Sequence, residues 1–477
     1  MYHLPFYSTI RVSAFLGLFI CSFNSSAQNL PPNTTWEGKL IGMRFVLKLS
    51  EDSLSKQPTA VFDSPDQGAF GIKVSKLTIS SDSLTAYTAL LKGGFKGKFN
   101  ADQSEVSGKW TQSGRAFDLS LKRVANQTPL KRPQTPKAPF PYSEEKVIYF
   151  NKDKTIQYGA TLTLPPSVKN PPVVILITGS GQQDRDESLF GHKPFWVIAD
   201  HLSRNGIAVL RVDDRGVGET TGNVYEATSA DFAKDVLVGV AYLKSRKELG
   251  LGKIGLIGHS EGGIIAPLAA SQSKDIAFIV SLAGVAVKGA DLMKKQSSEM
   301  YRLTGLNKVE LEAANSYTKM LIEVASLDIE EEERKTLFKK SMTDWLKQQP
   351  DSLLAKLGFK GPNADDHIRK SAELYFSPWM RYFLKYDPAP VLTKIQIPFL
   401  ALNGEKDIQV SAKENLAGFD QLLKKAGNKN VKVVLLPNLN HLFQHAKTGG
   451  ADEYGVIEET IAPEVLEIMN NWILKIK

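Results

Sequence analysis

The sequence predicts two folds in series: a small antiparallel β domain, barrel or sandwich, then a mostly parallel, doubly wound α/β sheet with a helical insertion. Three observations carry this expectation. Residues 33–124 alternate apolar and polar side chains with turn residues recurring between short segments, the mark of half-buried antiparallel strands. From residue 147 onward, short apolar runs such as Val173-Val174-Ile175-Leu176-Ile177 alternate with amphipathic stretches, and strands that alternate with helices build a parallel sheet. Finally, Lys253-Ile254-Gly255-Leu256-Ile257 runs through Gly258-His259-Ser260-Glu261-Gly262-Gly263 into Ile264-Ile265-Ala266. That order reads as a buried strand, a sharp turn and a helix.

Taken in chain order, the first segment places Arg11 before an apolar stretch over residues 12–21 and the small residues Ser25-Ser26-Ala27. This predicts a secretory signal peptide over residues 1–27, cut after Ala27, because the apolar core is too short to span a bilayer. The expected location is therefore secreted or periplasmic. A lipoprotein anchor at Cys21 is disfavoured, since Ile20 is too large for the position before a lipidated cysteine. Cys21 is the sole cysteine, so the processed chain has no disulfide and rests on its cores alone.

In the β domain, Phe45, Leu47 and Leu49 alternate with Val46 and Lys48, and segments 95–99, 106–110 and 117–121 repeat the period of two. Trp36 and Trp110 admit two roles, a platform for a ligand or glycan and the filling of a small core; aromatic bulk favours the core. Residues 125–146 carry Pro129, Pro133, Pro136, Pro139 and Pro141 and read as a stiff linker. The α/β pattern then occupies residues 147–477, with amphipathic helices over 195–205 and 230–247. An interruption at about 288–390, charged and helix-favouring over 328–340, predicts a helical lid above the strand ends. Its Tyr375, Phe376, Trp379, Tyr382 and Phe383 either line an acyl pocket or anchor the lid. The net charge of +8 is scattered apart from Lys131, Arg132 and Lys137, which argues against nucleic-acid binding. No segment after the first is long and apolar enough to be a transmembrane span.

The chemistry is written at strand ends. Gly258 and Gly262 leave room for a tight strand-to-helix turn that exposes the Ser260 hydroxyl as a nucleophile. Downstream, the apolar run 397–402 ends in Asn403-Gly404-Glu405-Lys406-Asp407, and the run 431–436 ends in Pro437-Asn438-Leu439-Asn440-His441. An acid and a histidine thus follow the serine in order, each at the same edge of a parallel sheet. His441 directly follows a strand, whereas His445 reads as an ordinary surface or packing residue. Asp407 is favoured over Glu405 because it comes after the turn has reversed the chain; Asp420 and Asp452 lie off the strand ends. In this arrangement His441 takes the Ser260 proton and Asp407 orients the imidazole. The oxyanion of the tetrahedral intermediate needs backbone donors, assigned to the N–H of Glu261 and of Ser180, with Gly181 as the alternative to Ser180.

Neither a cofactor nor a metal is expected. Gly179-Ser180-Gly181 has Asp184 where a dinucleotide fingerprint needs its third glycine, and Gly216-Val217-Gly218 has Thr221 there. The pair His441 and His445 has zinc-helix spacing, but Leu442 replaces the general-base glutamate.

These residues resemble a known family. Gly179-Ser180-Gly181-Gln182-Gln183-Asp184-Arg185-Asp186, Asp213-Asp214-Arg215-Gly216-Val217-Gly218, the Ser260 elbow, Asn403-Gly404-Glu405-Lys406-Asp407 and Asn440-His441 resemble the α/β-hydrolases. Within them the chain is similar to EstD-like bacterial carboxylesterases and the serine aminopeptidase-like group, whose members also carry an N-terminal β domain behind a signal peptide. The resemblance implies an α/β-hydrolase fold with a lid and carries Ser260, Asp407 and His441 over as the triad. Thr178-Gly179 stands where many members have His-Gly. Asp184, Arg185 and Asp186 are expected to form a buried ion-pair network that fixes the loop. The expected partner is a small-molecule ester of small to medium acyl chain, with short peptides the second reading. A glycan- or lipid-binding protein is the third, and it would have no use for a strained elbow.

Overall fold

The computed structural model describes residues 33–476 apart from 54, 68, 113–114, 127–129, 167 and 362–363. The signal peptide, its cleavage site after Ala27, Cys21 and Pro129 lie outside the described residues.

The first domain is one antiparallel sheet, of nine strands among the described residues. Successive strands pair in chain order, and the last, Arg115–Val124, returns to pair with the first, Thr34–Leu40, setting Val124 opposite Thr35. At the one break in that order, strands Ala69–Lys73 and Lys76–Ile79 are joined by Val74 and Ser75. The Val74 N–H bonds Ala60 O, and the Ser75 N–H bonds Tyr87 O on the opposite edge. The meander therefore curls around one core, which contains Trp36, Phe45, Phe62, Phe95 and Trp110. Trp110 meets Phe45 and Phe62 edge-on at 5.0 and 5.3 Å. Both tryptophans are fully buried, so the domain interior is packed with side chains and the core reading of Trp36 and Trp110 holds.

The segment after Val124 is docked rather than free. Arg132 donates to the carbonyls of Phe190 (2.7 Å), Gly455 (2.7 Å) and Ile457 (3.3 Å). Gln134 bonds the backbone of Thr460 and Ile461. The second sheet begins inside the stretch read as linker, with strand Ser143–Phe150. It lies on the sheet edge and exposes every second residue, so its start is polar and reads as loop.

That second sheet runs, edge to edge, Ser143–Phe150, Gln157–Leu164, Ala208–Val212, Val173–Ile177, Ile254–His259, Ile276–Leu282, Phe399–Gly404 and Val431–Leu436. Gln157–Leu164 is antiparallel to both its neighbours, and all other pairs are parallel. Val173, Ile175 and Ile177 join a core on one face, while Val174 and Leu176 join a core on the other. Burial on both faces is the reason these strands are continuous apolar runs. Helices Ser229–Ser245, Gly262–Ala270 and Ala412–Lys425 cover the first face; Pro194–Arg204 and Pro463–Ile473 cover the second.

Between Leu282 and Phe399 the chain leaves the sheet as a helical insertion that runs from Gly289–Leu303 to Ala389–Leu392. The segment expected to be helical over 328–340 is the helix Glu331–Lys347, with three glutamates in its first turn and Lys347 in its last, charges that complement the helix dipole. The insertion has its own core, including Tyr317, Phe338 and Trp345, which continues through Phe383 to Ile264 of the elbow helix. Among the described residues no helix is long and apolar enough to cross a membrane.

Candidate active site

The fully buried strand Ile254–His259 delivers Ser260 at a left-handed φ of 53°. The flanking glycines are required by space. A Cβ on Gly258 would sit 2.0 Å from the carbonyl oxygen of Gly262, and one on Gly262 would sit 2.3 Å from that of Ile177. Helix Gly262–Ala270 starts immediately beyond. The Ser260 N–H bonds Leu282 O at 2.8 Å, which pins the strained residue to the neighbouring strand.

His441 Nε2 lies 3.1 Å from Ser260 Oγ, and its Nδ1 lies 2.7 Å from Asp407 Oδ2. The other carboxylate oxygen of Asp407 accepts the N–H groups of Gln409 and Val410, both at 2.8 Å. Asp407 and His441 are buried. Glu405 faces away and accepts the Asn438 N–H; Asp420 pairs with Lys424 at the surface. His445 is exposed between Glu459 and Glu464 and forms an isolated antiparallel bridge with Leu439 rather than part of a helix.

Ser180, Gly181, Ser260 and Glu261 line one cavity of about 760 Å³, closed from the lid side by Met293, Trp379, Met380 and Phe383. Gly181 has a φ of 95°, a conformation that glycine adopts freely. Among the described residues, no protein acceptor takes the N–H of Ser180 or of Glu261.

The lid aromatics divide by role. Trp379 and Phe383 line the cavity and stack at 5.6 Å. Phe376 packs edge-on against Phe338, and Tyr375 and Tyr382 belong to the lid core or its margin. The expected network of Asp184, Arg185 and Asp186 needs one correction. Arg185 pairs with Asp213 and Glu219, and Asp186 with Arg211 and Lys193. Asp184 instead accepts the N–H groups of Asp186 and Ser188. It is a turn cap, since its short side chain reaches its own backbone first.

Three groups beside the triad, Glu261 and His259 buried and Asp214 half-buried, have no separate signal in the sequence. The Glu261 carboxyl accepts from Ser229 Oγ at 2.6 Å and from Trp379 Nε1 at 2.8 Å, and burial raises its pKa. Burial also pushes Asp214 up to about 8, against hydrogen bonds from Thr178 and Gln183. His259 bonds Glu187 and the carbonyl of His441. Burial works against its charged form, but the charge and hydrogen bond of Glu187 outweigh it and the pKa is raised. Each depends on residues far apart in sequence, so only their position beside the recognised motifs offered a hint.

A family model described as alpha/beta hydrolase fold matches residues 171–448. Among characterised proteins, Esterase EstD of Thermotoga maritima is 26% identical over 326 residues, spanning 68% of this chain and 67% of that protein. Similar solved structures include the Pyrococcus furiosus esterase Pf2001, 15% identical at a TM-score of 0.43, covering 70% of this chain and 91% of that one. Another is Est1E from Butyrivibrio proteoclasticus with ferulic acid bound, 20% identical at a TM-score of 0.38, covering 69% and 100%.

Proposed function

The chain belongs to the alpha/beta hydrolase family, and from that premise we propose that it is a serine carboxylesterase for small to medium acyl esters. The observation that carries this reading is the continuous hydrogen-bonded line from Ser260 Oγ through His441 to Asp407, opening onto a largely apolar cavity. His441 removes the hydroxyl proton as Ser260 Oγ attacks the ester carbonyl carbon. The Asp407 carboxylate holds the ring and balances its positive charge. The oxyanion forms against the N–H groups of Ser180 and Glu261, at the start of a helix whose dipole favours negative charge. His441 then protonates the leaving alcohol, and water releases the acid from the acyl-enzyme in the second half-reaction. No step calls on a metal or cofactor. A cavity of about 760 Å³ falls within the range of small-molecule sites. Export to the periplasm or medium is the companion proposal, resting on residues 1–27.

The test is labelling with a fluorophosphonate, read as intact mass, with acyl esters and peptide amides assayed in parallel. One adduct is expected on the parent and none on Ser260→Ala, whose kcat should fall by about 10⁵- to 10⁶-fold. Full esterase activity in Ser260→Ala would refute the assignment. Faster turnover of peptide amides than of esters would replace the esterase by a peptidase.

A further inference from the structure

Beside the triad stands a second carboxylate–imidazole pair that has no place in the proton path. Glu187 and His259 are both buried. His259 Nδ1 lies 2.9 Å from Glu187 Oε1, and its Nε2 lies 3.1 Å from the main-chain oxygen of His441. A carboxylate and a carbonyl oxygen only accept, so satisfying both contacts requires a proton on each ring nitrogen, an imidazolium. The same Glu187 oxygen accepts the Gly179 N–H at 2.8 Å. Glu187 itself is held at a φ of 51°, a strained conformation that persists only where its surroundings impose it. The pair therefore touches three segments at once: the elbow through His259, the loop that carries Ser180, and the backbone of the catalytic histidine.

We propose that Glu187 and His259 are positioning residues for acyl transfer, a buried ion pair that holds the His441 main chain and the Ser180 loop in register with Ser260. The proposal rests on the triad reading above. Neither residue is placed against the reacting atoms, so losing the pair displaces the base and an oxyanion donor while leaving the lid wall of the acyl cavity, Met293, Trp379, Met380 and Phe383, in place. Such a loss falls on the transition state more than on ground-state binding. The ionisable groups around His259 are Glu187 from the loop and Asp407 and His441 from the C-terminal strand ends. Glu187 supplies the direct counter-charge.

The experiment is histidine-selective nitrogen-15 NMR of the full chain, joined to the kinetics of Glu187→Gln. In the parent, both ring nitrogens of His259, assigned by their disappearance in His259→Gln, should carry protons at about pH 7.5. A bare ring nitrogen there overturns the proposal. Glu187→Gln keeps shape and an acceptor but removes the charge. Its kcat should fall about 10- to 100-fold with KM changed by less than about threefold. An unchanged kcat, or a loss confined to KM, overturns the proposal. Should Glu187→Gln fail to fold, the ring protonation of the parent still decides. Fluorophosphonate labelling of the parent separates the two readings: a labelled Ser260 beside a half-protonated His259 sinks only the positioning pair, and an unlabelled parent sinks the serine mechanism with it.

Discussion

Thr178 donates its hydroxyl to Asp214, and Gln183 donates its N–H, yet burial prevails and pushes this carboxyl from its ordinary value of 3.8 up to about 8. The nearby charges of Glu187 and Glu261 push in the same direction. Between those two values the folded chain keeps a proton that the unfolded chain has lost. Stability therefore falls as pH rises from about 4 to about 8 and levels off above. Glu261, also raised by burial, adds to the fall. His259, raised by Glu187, contributes stability below its unfolded value and loses it as pH rises through its folded one. Asp214→Asn removes one of the three contributions. Urea unfolding midpoints at about pH 5 and pH 8 should converge in the variant relative to the parent. Equal slopes in the two proteins would contradict the burial of this carboxyl.

The lid helix Pro378–Lys385 begins with a Ser377 cap that accepts the Met380 N–H, and proline at its first position, both favourable at a helix start. Its Trp379 reaches the elbow, donating Nε1–H to Glu261. Trp379→Phe keeps a ring in the cavity but deprives a buried carboxyl of a donor. Stability should drop by about 1–3 kcal/mol. KM should rise more for long acyl chains than for short ones, which a graded series of p-nitrophenyl esters would measure. A uniform change across the series would mean that the tryptophan does not shape the pocket. Much of this architecture is legible in the sequence because strands buried on both faces are bound to be apolar runs. Ser260 and Asp407 stand out because each follows such a run, and His441 because it follows the apolar edge strand Val431–Leu436. The role of each lid aromatic is not legible. Trp379 faces the cavity and Phe376 faces Phe338 because of how the helices pack against one another, and amphipathic spacing is the same for both. Polar Ser143–Lys146 is hidden for a related reason: an edge strand has solvent on the side where a central strand has a neighbour. The Glu187–His259 pair is invisible for want of a local pattern, since only the folded sheet brings its two loops together.

At the scale of the molecule, the segment that joins the two domains is held on the α/β domain by Arg132 together with Gln134. Arg132 is the donor to three carbonyls of the α/β domain, beside a close backbone contact in which a Cβ on Gly455 would meet Asp66 O of the β domain at 1.8 Å. Arg132→Ala leaves those carbonyls without their donor, a loss of about 1–3 kcal/mol. Calorimetry should then resolve a lower-temperature transition for the β domain, while kcat/KM on short esters stays within about twofold of the parent. A single unshifted transition would show that the domains are joined by other means. The closure of the β domain bears on a different property, the order of events in folding. Its first strand must await its ninth, because Thr35 finds Val124 only after the whole meander lies between them. Contacts of such sequence separation form slowly, so the pairing of the first strand with the ninth is expected to be a slow step in the folding of that domain, and each of the two strands keeps an unpaired edge until it forms.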